Sequence, residues 1–190
     1  MWTEFWAAVT LLGTPECWGY FALFSLAVYL ILRALLKENL GWKKAKPAIK
    51  KFLIIFLPSI AIFFAVTLGL KAFLFIPRPC IPCAAIPGNP IDSLFQSDQA
   101  VLPGICNPYC ETDSSFPSGH SGTAFVVFSS IYLTVRKSAA LPLFAIPALV
   151  SYSRIALGVH TPLDVLAGAL LGLIIPVLAS KFILKWHKLK

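Results

Sequence analysis

Residues 52–78 read FLIIFLPSIAIFFAVTLGLKAFLFIPR. The run 52–76 carries a single charge, Lys71, and exceeds the ~20 apolar residues with which an α-helix crosses a hydrocarbon layer. Pro77 and Pro79 stop it, because proline lacks the N–H a helix interior needs. Lys71 and Arg78 thereby stand seven residues apart, two helical turns, on one face at one end of a membrane span.

Working outward, comparable apolar runs occupy 17–36, 119–135, 139–157 and 163–184. The chain of 190 residues is 58% hydrophobic and 13% charged, with mean hydropathy +0.80, far from the composition of a soluble globular domain. We therefore expect an all-α polytopic membrane bundle of five crossing helices. Residues 1–13 are apolar and Trp-rich but short, which fits an interfacial or partly inserted helix. Without internal repeat or low-complexity tract, 1–190 reads as a single domain with one long extracytoplasmic loop at about 77–116. The start, Met1 to Phe5, lacks the basic region of a cleaved leader, so the first span is expected to serve as its own insertion signal.

The net charge of +8 is read by position and not as a nucleic-acid signal, since basic residues gather on the cytoplasmic side of membrane proteins. Seven Lys and Arg lie within 33–51, two at 136–137 and four in the tail, thirteen of the sixteen. This orientation puts 77–116 and 153–162 outside, in a bacterial inner membrane. Lys71, Arg78 and Arg154 are the exceptions, on the outer face with His120 and His160. Cations and imidazoles gathered where several helices end suit an anionic head group.

Three segments meet there: Lys71-x6-Arg78-Pro79, Pro117-Ser118-Gly119-His120, and Ser153-Arg154-x5-His160-x3-Asp164. Ser118 can cap a helix whose free N–H groups form an anion site, and Gly119 allows close backbone approach. Thr161-Pro162 reads as the cap and first residue of the last span, which sets Asp164 in its first turn, able to hold one ring nitrogen of His160. That contact would fix the tautomer and leave the other nitrogen free to attack.

In these three signatures the chain resembles the type 2 phosphatidic acid phosphatase (PAP2) superfamily, over residues 71–164. The resemblance implies a lipid phosphate phosphatase with His160 as nucleophile, His120 as acid and then base, and Asp164 as the orienting carboxylate. Lys71, Arg78, Ser118, Gly119 and Arg154 would bind phosphate. No cofactor or metal is called for, because the cations are side chains, and no protein partner beyond the bilayer and its lipid is evident. Undecaprenyl diphosphate and lipid A 1-phosphate head the expected substrates; phosphatidylglycerol phosphate and phosphatidate follow. Family members usually have six crossing helices against the five counted. A soluble-substrate phosphatase, a vanadate-dependent peroxidase and a non-catalytic binder or transporter are the competing readings; the hydrophobic spans disfavour the first two, and an intact His160–Asp164 pair disfavours the last.

Four cysteines, Cys80, Cys83, Cys106 and Cys110, lie in the outer loop. An oxidising compartment favours two disulfides of undetermined pairing, the spacing also fits a four-cysteine zinc site, and Cys-Ile-Pro-Cys is a redox-type motif. Cys17 is expected to be a buried thiol, and the loop to wall the site as a lid.

Overall fold

The computed structural model describes residues 5, 6, 9, 42–80, 107, 109–136 and 138–188. Their regular structure is helical: α1 spans Trp42–Leu74, α2 Gly119–Val135, a 3-10 segment Ser138–Phe144, α3 Ala145–Ala156 and α4 Pro162–Lys188. The expected first span, 17–36, and Cys17 lie outside the described residues. Phe5, Trp6 and Val9 are helical, and the Trp6 ring meets Tyr152 edge-on at 5.1 Å.

Among the described residues, two helices are long and apolar enough to cross a membrane, over Pro47–Leu74 and Pro162–Ile183, and Ala140–Ala156 is a shorter apolar helix. Boundaries depart from expectation in three places. Helix α1 ends at Leu74 and Phe75 turns the chain at φ +39°, so Arg78 stands beyond the helix and not two turns from Lys71 along one face. Helix α1 begins at Trp42, inside the stretch read as a loop, because Lys and Ala are good helix formers and 33 residues reach about 50 Å, beyond the hydrocarbon. The span expected at 139–157 opens as a 3-10 turn around Pro142, which cannot donate an α-helical bond.

Phe52, Phe56, Ile60 and Phe63 recur at helical spacing on α1 and pack on Val126, Val127 and Ile131 of α2 and Ile175 of α4. Elsewhere burial is inverted. Ser121, Thr123, Ser129, Ser130 and Ser151 are buried, whereas Leu68, Phe73, Leu163, Leu166, Leu178 and Phe182 are exposed. Small polar residues between helices and large apolar ones outside are what a hydrocarbon surround demands. Ser130 and Thr134 bond back to carbonyls four residues earlier, and Ser121 reaches Ser151 and the Val165 carbonyl, so these hydroxyls are satisfied.

Helices α2 and α4 meet through glycine. Gly168 and Gly172 stand four apart on α4, the small-residue spacing of close helix pairs. A Cβ at Gly168 would run into the Ser118 carbonyl, and one at Gly172 into the Gly122 carbonyl and Phe125. The seam joins the backbone of the Pro-Ser-Gly-His turn to the helix that carries Asp164.

Candidate active site

One end of the bundle collects the end of α1, the start of α2, the end of α3 and the start of α4. The chain after α1 is clipped to the chain before α2: Ser115 N donates to the Ile76 carbonyl at 2.8 Å and Ile76 N to Ser114 Oγ at 3.0 Å. A disulfide between Cys80 and Cys110 ties the same two strands of chain. It settles one pairing across the two clusters and removes two thiolates from any four-cysteine zinc site. Cys83 and Cys106 lie outside the described residues.

The turn into α4 is a capping box. Thr161 N donates to Asp164 Oδ2 at 2.7 Å, and Asp164 N donates back to Thr161 Oγ1 at 3.3 Å. Pro162 fills the first helical position, where a missing N–H is harmless. Ahead of it, Gly158 at φ +68° turns the chain, and the N–H groups of Val159 and His160 donate to the Arg154 carbonyl at 3.2 and 3.3 Å. His160 is therefore held against the end of α3 from its own backbone.

The His160 ring is almost wholly buried. Nε2 lies 3.2 Å from Arg78 Nη1, which also donates to the Val159 carbonyl at 3.2 Å. On the other side, Nδ1 is 3.7 Å from Asp164 Oδ2, too long for a hydrogen bond, and 3.3 Å from Ser115 Oγ. The direct hydrogen bond expected between His160 and Asp164 is thus replaced by a serine, which donates to the same carboxylate oxygen at 2.6 Å. Burial above all, then the charges of Arg78 and Arg154, pull the His160 pKa down to about 3 against the opposing pull of Asp164. The imidazole is neutral at pH 7, as a nucleophile requires.

The cations line the same space. Arg154, 2% exposed, approaches Glu111 Oε1 at 3.5 Å. Arg78 pairs with Glu111 and Asp113, and Lys71 with Asp113. Burial pushes the Asp113 carboxyl up, but bonds from Lys71 and Arg78 outweigh it and hold the pKa below the usual range. Two carboxylates therefore stand where an anion would bind. Ser118 takes the N-cap position of α2, yet its side chain makes no cap bond. Its N–H is engaged by the Asp164 carbonyl at 3.0 Å, and its buried Oγ has no partner among the described residues. An orphaned buried hydroxyl costs about 1–3 kcal/mol unless a ligand supplies the missing bond. Gly119 faces open space, with nothing within 4 Å of where a Cβ would sit. His120, in the first turn of α2, lies within electrostatic reach of Arg154, His160, Arg78 and Lys71.

All eight residues read from sequence thus gather at this end. Three others were missed: Ser115, Glu111 and Asp113. The only signal for the acidic pair was its place between Cys110 and the second motif.

The description "PAP2 superfamily" fits residues 52–188. Among curated relatives, an undecaprenyl-diphosphatase of Sulfolobus acidocaldarius is 46% identical over 61 residues, 32% of this chain and 30% of that protein. The bacitracin transport permease protein BcrC of Bacillus licheniformis is 43% identical over 95 residues, 48% of this chain and 46% of that protein. Each match thus spans less than half of the relative. Among solved structures, Aquifex aeolicus LpxE superposes with a TM-score of 0.56 at 25% identity, over 94% of this chain and 85% of that one. With the family's pattern covering more than half of its length, the chain belongs to the PAP2 superfamily.

Proposed function

We propose that the protein is a lipid phosphatase that hydrolyses a phosphomonoester or diphosphate on a membrane lipid, through a phosphohistidine on His160 and without a metal ion. The observation that carries this reading is the buried His160 ring, backed on Nδ1 by Ser115 and flanked at Nε2 by Arg78. A binding site alone needs cations but no poised nucleophile.

In the proposed mechanism, Lys71, Arg78, Arg154, Ser118 Oγ and the Gly119 amide hold the phosphoryl oxygens and spread their charge. Nε2 attacks in line, and the P–O bond breaks as His120 gives a proton to the departing oxygen. Water then adds to phosphorus, losing a proton to His120 as the P–N bond breaks and its electron pair returns to Nε2. Side-chain cations supply the charge neutralisation that a metal ion supplies in other phosphoryl-transfer sites.

The outer face is supported by charge placement. Lys51 and Arg136 lie at the opposite ends of α1 and α2 from the site, with Lys51 Nζ donating to the Thr134 carbonyl at 2.8 Å. Undecaprenyl diphosphate is the first candidate substrate, favoured by this orientation and by the undecaprenyl-diphosphatase relative. Lipid A 1-phosphate, phosphatidylglycerol phosphate and phosphatidate are the others. The permease name of BcrC favours a second reading, a lipid-phosphate carrier without turnover.

The test is phosphate release by detergent-purified protein from these four lipids, with EDTA present, beside His160→Ala. EDTA-resistant release that disappears in the variant is expected. No release from any lipid would discard the phosphatase and favour the carrier, and release unchanged by the substitution would discard the phosphohistidine on His160.

A further inference from the structure

We propose that Ser115 is a positioning residue of this reaction, the link through which Asp164 acts on His160. The inference rests on the phosphohistidine reading and deepens it.

The hydrogen-bond polarity follows from the partners. Arg78 can only donate, so its Nη1, 3.2 Å from His160 Nε2, requires a lone pair there. A neutral imidazole with Nε2 as acceptor carries its proton on Nδ1. That proton faces two acceptors, Ser115 Oγ at 3.3 Å and Asp164 Oδ2 at 3.7 Å, and only the first is within hydrogen-bond range. The Ser115 hydroxyl has one hydrogen, which goes to Asp164 Oδ2 at 2.6 Å, leaving its lone pairs for Nδ1–H. The chain runs one way, from Nδ1–H to Oγ–H to carboxylate.

Both ends of the link are fixed by other means. Ser115 is fully buried, and its N–H donates to the Ile76 carbonyl at 2.8 Å, which ties it to the chain leaving α1. Asp164 Oδ2 is already drawn toward the Thr161 N–H of the capping box at 2.7 Å. The carboxylate is held by the helix start, short of the ring, and the serine fills the interval.

In the reaction, Nε2 forms its bond to phosphorus as the P–O bond breaks and its electron pair departs on the leaving oxygen, which takes a proton from His120. Positive charge then appears on the phosphorylated ring while its proton stays on Nδ1. The Nδ1–H bond to Ser115 strengthens at that moment, and the hydroxyl passes the field of Asp164 onto the ring. No proton needs to cross.

The experiment compares wild type, Ser115→Ala, Ser115→Thr and His160→Ala in detergent, with undecaprenyl diphosphate as substrate and inorganic phosphate and orthovanadate as inhibitors. In Ser115→Ala, kcat is expected to fall about a hundredfold with KM within about twofold, the scale on which lost orientation acts. Orthovanadate, which takes a bond from Nε2, weakens about tenfold or more, whereas inorganic phosphate, held by the cations, inhibits as before. Ser115→Thr restores most of kcat. The assignment is overturned if Ser115→Ala keeps kcat within about threefold of wild type, or if phosphate inhibition weakens in parallel with kcat, the mark of a general structural loss. An inactive His160→Ala beside a normal Ser115→Ala removes only the serine's role. A wild type that releases nothing, or a His160→Ala that still turns over, removes the phosphohistidine reading and the serine's role with it.

Discussion

Replacing Gly168 by alanine tests whether helix contact sets the catalytic geometry. The added Cβ would overlap the Ser118 carbonyl oxygen, with Ser118 C at 3.2 Å and Gly122 N at 3.3 Å. None of these is the end of a flexible side chain, so the backbones must part, by about 1 Å to restore an ordinary carbon–oxygen separation. The bond from Ser118 N to the Asp164 carbonyl, 3.0 Å long and one turn away, crosses the same seam and cannot survive that displacement. Overpacking costs about 1–3 kcal/mol and the lost bond about 1 more, while alanine regains about 1 in helix propensity. A net loss near 2 kcal/mol should accompany a roughly hundredfold fall in kcat, because Asp164 and the Ser118 turn shift relative to each other. The assay pairs steady-state phosphate release with thermal unfolding in the same detergent. Gly172→Ala meets the Gly122 carbonyl and Phe125, a further turn along α4, and should lose similar stability with a smaller loss of rate. Gly69→Ala, in open space on α1, should lose neither. If Gly168→Ala turned over within twofold of wild type, the seam would not be what positions the site.

The remaining expectations can be checked with the same protein. Cys80→Ser opens a cross-link of sequence separation 30 and should lower stability by about 3–4 kcal/mol on the loop-entropy relation, read as a drop in unfolding temperature that reductant reproduces in wild type and not in the variant. Glu111→Gln together with Asp113→Asn removes the carboxylates paired with Lys71, Arg78 and Arg154, and should tighten inhibition by inorganic phosphate about tenfold, at ~1.4 kcal/mol per decade; weaker inhibition would show that the pair helps to build the pocket. His160 titrates near 3 in the folded chain against about 6.5 unfolded. Between these values the unfolded state binds the extra proton, so stability is full above about pH 6.5 and is lost as pH falls toward 3, by ~2 kcal/mol at pH 5. His160→Gln should remove that share of the slope and leave the remainder, and an unchanged slope would assign all of it to other groups.

Much of the site was legible because its residues sit at fixed spacings that helix geometry converts into neighbours. Thr161-Pro162 marks a helix start that places Asp164 in the first turn, whereas the two helical turns expected between Lys71 and Arg78 are not there, because α1 ends at Leu74 and Arg78 reaches the site from the chain beyond it. Ser115, Glu111 and Asp113 escaped notice because a polar residue in a Pro-rich loop has no period to betray its direction. The interval of 3.7 Å between His160 and Asp164 could not be foreseen either, since it depends on how the capping box claims the carboxylate. The seam at Gly168 and Gly172 was in plain view as Gly-Ala-Leu-Leu-Gly, but its meaning needed a partner, and Gly122 lies far away in the chain. At the other end of α1, apolarity fixed where the hydrocarbon begins while helix propensity, which does not stop at that border, carried the helix on to Trp42.

The Cys80–Cys110 bond also bears mechanical load. It lies two residues after Arg78 and one before Glu111, so residues 81–109 form a closed ring hung from a single covalent point. A pull on that ring is shared between the bridge and Asn107, whose Nδ2 donates to the Leu157 carbonyl at 2.7 Å at the end of α3.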